Sequence, residues 1–416
     1  MPQYFNWRSG FNRNLILSRI DGVRKIDSQR CSFSPAQDLH FWLPVLNSAI
    51  LAHSNVGLLK ASCVMHSLSD ASLRLNDPDA FLVRCDQAFA NLSKRPKSKF
   101  IFYTTVTYSG PKVIDWISDG PFRIYWQPAD KGPFVSAALR AREDLSFKRR
   151  AHKIPDDSDQ LTTLVHVNAF DASDAFEKAN DCVDRFRGML NLMINSTNSV
   201  HPFGDLAPPH AINRFRRGPF HTLHKPDGSL ATETFWYEPR WEHNHPAVIF
   251  EGGPAGFKKK FADWWRRLHN NPMSGFTSEA LLRYCRALDL HEADAALLGM
   301  WQVLERMTGT DKYELLIDRI TRLFRDHEDA RAVANHLRIR RNQTVHSAHS
   351  ISRDAHVILH QVERLAGQII FFCVMNGPKF KSQNELNEFL DLPMDRRKLK
   401  RRQQLGKYFL EYQNRS

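Results

Sequence analysis

The chain has 416 residues, of which 42% are hydrophobic, 11% aromatic and 25% charged; this globular composition excludes a wholly disordered chain and, at about 150 residues per domain, predicts two or three domains. Lys and Arg outnumber Asp and Glu by 58 to 45, a net charge of +13 that favours polyanionic partners without selecting one. The longest strongly apolar stretch, Ile369 to Met375, falls far short of the roughly 20 residues that span a bilayer, the N-terminus has no secretory h-region, and the six cysteines are dispersed with no C-x-x-C pair.

These exclusions point to a cytoplasmic protein in a reducing compartment, with no membrane partner and no disulfide scaffold. Asn195-Ser196-Thr197 and Asn342-Gln343-Thr344 match the glycosylation pattern, and without export they read as chance matches. In chain order, residues 1–95 read as mainly helical, with helices over Ala36–Ala52 and Ala80–Leu92. The text then changes: Lys99–Tyr108 is dense in β-branched and aromatic residues, and Phe122–Gln127 follows after the turn Ser118-Asp119-Gly120-Pro121. A third strand over Leu161–Asn168 leads into an amphipathic helix from about Ser173 to Ile194. Residues 201–254, rich in Pro, Gly and His, predict long loops with one or two strands. Phe257, Phe261, Trp264, Trp265 and Leu268 then form one apolar stripe of a helix over Ala255–His269.

Asn270-Asn271-Pro272-Met273-Ser274-Gly275 breaks that helix, and the main domain boundary is expected there. Residues 96–275 thus read as a mixed α+β region, suited to sensing or regulation, and 276–416 as an all-helical bundle with a basic tail. The expected bundle helices are Thr277 or Ser278 to Leu288, Ala293–Met307, Lys312–Arg325, Asp329–Val345 and Asp354–Val374. The fold class is therefore α+β: a mixed N-terminal region followed by a C-terminal helical bundle.

One string in the bundle carries chemistry: Leu337-Arg338-Ile339-Arg340-Arg341-Asn342-Gln343-Thr344-Val345-His346. Arg341 is a permanent cation suited to phosphate, His346 titrates near neutrality, and Asn342 adds a neutral hydrogen-bonding group. Five positions place Arg341 and His346 about 140° apart round an ideal helix, and fraying after Gln343 would bring them closer. Together they supply what RNA scission needs: neutralisation of phosphate charge and a proton shuttle for the 2′-OH or the leaving 5′-oxygen. This chemistry requires no metal and no cofactor, and the bundle sequence has no Asp/Glu/His cluster to hold a metal.

R-polar-x(3–5)-H in a late helix of a four- or five-helix bundle resembles the signature of HEPN domains, and Arg341 to His346 matches it with Asn in the polar position. Leu297 to Glu305 is similar to the W-x-x-L-E helix of that family, especially in its ApeA-like branch. The resemblance covers Thr277–Gly377, about a quarter of the chain. It implies a metal-independent endoribonuclease that acts as a homodimer through the bundle, leaves 2′,3′-cyclic phosphate ends, and serves in bacterial toxin–antitoxin, abortive-infection or other anti-phage defence. It also implies roles: Arg341 on the scissile phosphate, His346 as acid and base, Asn342 positioning substrate, and Glu305 orienting Arg341 from a neighbouring helix. A neutralising or activating protein partner is expected with such systems. Some HEPN domains are non-catalytic, so an RNA-binding or adaptor protein is the alternative.

Arg338 and Arg340 extend the expected RNA contact along the same helix. In Arg396–Arg402 six of seven residues are basic, including Lys398, Lys400, Arg401 and Arg402, and Tyr408, Phe409 and Tyr412 follow. That pairing suits RNA backbone and base contact; the competing reading is an exposed amphipathic terminal helix packing Leu399, Leu405 and Phe409 or Leu410 on the bundle. Lys258-Lys259-Lys260 reads as a solvated face. His221, His224, His243 and His245 lack acidic or cysteine ligands at regular spacing and read as loop histidines. Glu251–Lys258 lacks the G-K-[ST] ending of a phosphate loop and reads as a turn before a helix.

Overall fold

The computed structural model describes residues 4–27, 30–34, 36–53, 56–57, 59–108, 114–126, 132–158, 160–195, 212–239, 241, 253–346 and 355–413, with Arg30, Ala36 and His346 described by their backbone alone. The chain opens with β1 (Phe5–Trp7), α1 (Arg13–Asp21), β2 (Arg24–Asp27), β3 (Arg30–Phe33), α2 (Ala36–Ala49), β4 (Ile50–Ala52), α3 (Leu59–Leu68) and α4 (Pro78–Lys94). It continues through β5 (Ser98–Val106), β6 (Trp116–Asp119), β7 (Phe122–Trp126), α5 (Pro133–Glu143), α6 (Ser146–Ala151), β8 (Leu161–Ala169) and α7 (Ala172–Asn195). After β9 (Phe220–His224) and β10 (Trp236–Tyr237) every further element among the described residues is helical: α8 (Gly253–His269), α9 (Ser274–Leu288), α10 (Ala293–Thr308), α11 (Tyr313–Thr321), α12 (His327–His346), α13 (Ala355–Asn376), α14 (Gln383–Leu390) and α15 (Arg396–Gln413). The protein is mixed α+β, with sheet and helix first and a helical region last.

Two compact units divide the chain: Met1–Phe102, His166–Ala179 and Leu223–Glu233 form one, and Tyr103–Val165, Asn180–Thr222 and Thr234–Ser416 the other. The first has its own apolar core, with Phe5, Leu17, Ile20, Leu46, Val64 and Phe81 among its fully buried side chains. Two short antiparallel pairs close it, β1 on β4 and β2 on β3. The stretch expected to be mainly helical thus carries four strands as well. Asp77 starts α4 by accepting from the backbone N–H groups of Asp79 and Ala80, with Pro78 at the first helical position.

The larger sheet has six strands in the order β10-β9-β5-β8-β7-β6. The β6–β7 hairpin turns at Gly120, whose φ of +58° is a left-handed value open to glycine at little cost. The sequence places β5, β7, β8, α7 and α8 within a few residues of their observed bounds.

In the second unit, α7 and α9 meet so closely that a Cβ on Gly188 would lie 2.8 Å from the Leu281 carbonyl oxygen. Beside that contact, the fully buried Asp184 accepts from Arg187 at 2.6 Å and Arg286 at 2.8 Å. Burial pushes its carboxyl up, but the guanidinium groups of Arg217, Arg187 and Arg286 together hold it far below the usual carboxylate range. Arg187 continues to Asp289 at 2.8 Å and to the Phe215 carbonyl at 2.9 Å. The network fixes α9, and the helices stacked on it, to α7 and to the segment before β9.

The expected boundary at Asn270–Gly275 lies inside this unit. Asn271 donates to the carbonyls of Arg267 and Leu268, finishing α8 within the fold. The following helix starts at Ser274 rather than at a Thr277 or Ser278 cap, and Thr277 is buried in its first turn. α11 ends at Thr321, shorter than expected, and α14, which the sequence does not announce, is capped by Ser382, whose Oγ accepts a hydrogen bond from the Glu385 N–H. α13 together with its continuation to Lys379 is the one described helix long and apolar enough to cross a membrane, and 61% of that apolar window is buried inside the protein. It packs against α8, α9, α10 and α12, as a core helix does.

Candidate functional site

The buried stripe of α12 runs Ala330, Ala334, Leu337. One more helical step along that stripe is Arg341, and Thr344 follows it, so the inward face turns from apolar to polar at the end of the helix. Thr344 Oγ1 donates to Asp294 of α10 at 3.2 Å. The guanidinium of Arg341, half-buried, is met by α11: its Nη1 donates to the Tyr313 hydroxyl at 2.8 Å, and its carbon lies 5.7 Å from the Tyr313 ring centre. Tyr313 in turn donates to Asn342 Oδ1 at 3.2 Å. The ring of Tyr313 sits edge-on to the buried Trp301 of α10, with centroids 6.0 Å apart. An aromatic step from the core therefore orients the arginine and the asparagine together.

Charge bookkeeping along α12 separates its arginines. Arg331 pairs with Asp318, and Arg338 pairs with Glu314 at 2.6 Å, so Arg338, expected to contact RNA, is engaged across α11. Arg341 has no carboxylate partner among the described residues, and its Nε, although buried, has no hydrogen-bond acceptor there. Glu305, expected to orient Arg341, makes no side-chain hydrogen bond or ion pair among the described residues; Tyr313 holds the position assigned to it. Arg340 is half-buried on the same turn. The helix stays continuous through the backbone of His346, so no fraying after Gln343 brings it closer to Arg341 and the helical offset remains about 140°. The His346 side chain lies outside the described residues.

Lys398, Lys400, Arg401 and Arg402 lie on α15, which has no buried residue along its whole length. The competing reading, in which Leu399, Leu405 and Phe409 pack on the bundle, does not hold: they are 40%, 50% and 59% exposed. None of the four cations forms an ion pair among the described residues. Lys260, expected on a solvated face, has its ammonium 5.2 Å from the ring centre of Trp264.

His221 and His224 are in β9, buried, rather than in a loop. His221 Nδ1 is 2.7 Å from Thr104 Oγ1 and its Nε2 is 3.5 Å from Glu238. Burial lowers the histidine's pKa, while the hydrogen bond from His221 and the nearby Arg217 bring the Glu238 carboxyl down to about 2 against its own burial. His243 and His245 lie outside the described residues, as do Glu251, Gly252 and the glycosylation-like Ser196-Thr197, while Gly253–Lys258 begin α8. Among the described residues no group of three or more His, Cys, Asp or Glu side chains is placed to hold a metal ion.

The sequence singles out Arg341 and Asn342 through their spacing, and both side chains meet the Tyr313 hydroxyl. It does not single out Tyr313, whose only sequence signal is an aromatic residue at the start of the preceding helix. No protein-family model matches the chain, and neither a curated protein nor a solved structure does.

Proposed function

We propose that the helical region is a HEPN-like, metal-independent endoribonuclease that cleaves RNA at an R-x4-H site on α12, shared between two copies of the chain. The observation that carries this reading is the state of Arg341: a half-buried guanidinium, oriented by Tyr313, with no acid to neutralise it among the described residues. A partly desolvated cation without a counter-ion is arranged to take an anion, and a phosphate diester fits its planar fork. Arg341 neutralises the scissile phosphate, Asn342 positions the sugar, and His346 transfers the protons.

In this scheme the substrate's own 2′-OH attacks phosphorus, the P–O5′ bond breaks, and a 2′,3′-cyclic phosphate and a 5′-OH form. One histidine accepts the 2′-OH proton and a second donates to the leaving oxygen. A single R-x4-H motif supplies only one, so a two-fold dimer supplies the other, from the same patch on each copy. A cytoplasmic role in bacterial defence, held in check or triggered by a protein partner, is the setting that the HEPN resemblance suggests for such an activity.

The test is incubation of the purified chain with total RNA in excess EDTA, followed by end-group analysis. The reading expects cleavage with cyclic phosphate ends; intact RNA, or ends of another type, overturns it. A second reading, a non-catalytic RNA-binding adaptor, is favoured by α15 alone, whose exposed cations would bind RNA without cutting it. Retained RNA binding with no cleavage would select it.

A further inference from the structure

A cavity of about 810 Å3 opens in the second unit, with α13 as one wall and α8, the end of α7 and residues 323–325 as the others. That size lies in the range of small-molecule sites, and none of its lining residues belongs to the Arg341–Tyr313–Asn342 cluster. α13 is a core helix, yet it turns a polar stripe to this space. His360, Arg364, Gln368 and Phe371 lie three or four residues apart and share that face. Gln368 Nε2 donates to the Leu323 carbonyl at 3.1 Å, which fastens residues 323–325 beside it.

Aromatic rings and positive charge dominate the lining. Trp264 of α8 meets Phe371 of α13 with ring centroids 4.8 Å apart, and Phe324 adds a third ring. Lys260 holds its ammonium 5.2 Å from the Trp264 ring centre, and the Arg364 guanidinium lies 5.8 Å from that of Phe324. Arg325 is the third cation. All three are exposed, and none forms an ion pair among the described residues.

The one acidic residue on the described lining, Glu363, is 3% exposed and accepts the Tyr284 hydroxyl proton at 2.7 Å. His360 is half-buried; burial first, then the positive charges of His356 and Arg214, push its pKa down to about 4. It is therefore uncharged at physiological pH, and the positive surroundings that oppose its proton favour an anion. Exposed cations by themselves hold a small ion weakly, because water screens them. A ligand that also buries a flat ring gains apolar contact that an inorganic ion lacks.

We propose that this cavity binds a small organic anion built on an aromatic ring that carries a phosphate or a carboxylate. The ring lies against the Trp264–Phe371 wall, and the anionic group is met by Lys260 from α8 and by Arg364 and Arg325. The inference rests on the cavity alone and stands whether or not α12 cleaves RNA.

Isothermal titration of the full chain with 2-naphthyl phosphate, 2-naphthoate, 2-naphthol and inorganic phosphate tests it. An aryl anion is expected to bind saturably below millimolar concentration, and the tighter of the two names the anionic group. 2-Naphthol, a ring without charge, and inorganic phosphate, charge without a ring, should each bind at least tenfold more weakly. Arg364→Glu, a reversal at an exposed side chain, should weaken the aryl anion at least tenfold while leaving the folded spectrum unchanged, and Lys260→Glu should do the same from α8. Arg341→Ala should leave the affinity as it stands. No saturable binding of either aryl anion, 2-naphthol or phosphate binding as tightly, affinity untouched by both reversals, or affinity lost in Arg341→Ala overturns the proposal.

Discussion

Two helices of this protein concentrate positive charge, and they do so in opposite ways. α12 continues a buried apolar stripe into Arg341, fixes the guanidinium against Tyr313 and leaves it without a counter-ion among the described residues. α15 carries more charge, yet none of its residues is buried and its cations reach into solvent. A fixed, partly desolvated cation acts on one phosphate in one geometry, whereas a solvated row attracts any polyanion through counterion release. The contrast predicts that chemistry resides on α12 and capture on α15.

The largest effects should therefore come from the α12 motif. Arg341→Ala or His346→Ala is expected to lower RNA cleavage by about 10³-fold or more, in line with removal of a preorganised charge-stabilising group, while Arg341→Lys recovers little because a point charge lacks the guanidinium's fork. Single-turnover cleavage measured in EDTA checks this; a Lys variant at the parental rate would mean that only charge matters there.

Next comes a stability effect that extends the comparison to a carboxyl buried outright. Burial pushes Glu363 on α13 from its ordinary 4.5 up to about 7, partly offset by the hydrogen bond from Tyr284. Because its folded value is raised, the folded chain holds a proton that the unfolded chain has lost between those pH values. The stabilisation is thus complete below about 4.5 and is lost as pH rises to about 7. The shift corresponds to about 3 kcal/mol. Urea melts across this interval should show the decline, and Glu363→Gln should flatten it.

Neutralising Lys398, Lys400, Arg401 and Arg402 together should weaken RNA binding and reduce the salt slope by up to about 0.7 per lost phosphate contact, with the rate at saturating RNA unchanged. A fall in that rate would erase the distinction between capture and chemistry. The smallest effect is expected for Tyr313→Phe: the ring still packs on Trp301, the hydroxyl contact to Arg341 is lost, and stability changes by about 1 kcal/mol. Cleavage should drop more than stability, since the arginine loses its orientation.

Much of the fold was legible because local patterns carry it. The β-branched and aromatic density of β5 and the stripe of α8 are written in consecutive residues. The β1–β4 pair was not, since Phe5 finds its partner at Ala52 and three-residue strands leave no periodic signal. α9 starts without a side-chain cap, which misdirects any search for a capping Thr. At the candidate site, R-x4-H spacing drew attention to Arg341 and Asn342, but the tyrosine that holds them comes from 28 residues upstream of Arg341, where nothing in the sequence distinguishes Tyr313 from a core aromatic. Glu305 was expected on resemblance, and the geometry gives its place beside Arg341 to that tyrosine.

The most direct measurement of the central claim is metal-free RNA cleavage by parental protein mixed with rising excess of His346→Ala protein, under conditions that exchange subunits. A site completed by two copies of α12 predicts activity falling below the value for simple dilution, as parental chains are drawn into pairs with one histidine. Activity that tracks the parental fraction alone would contradict a shared site, and no cleavage by the parental protein would contradict the nuclease itself.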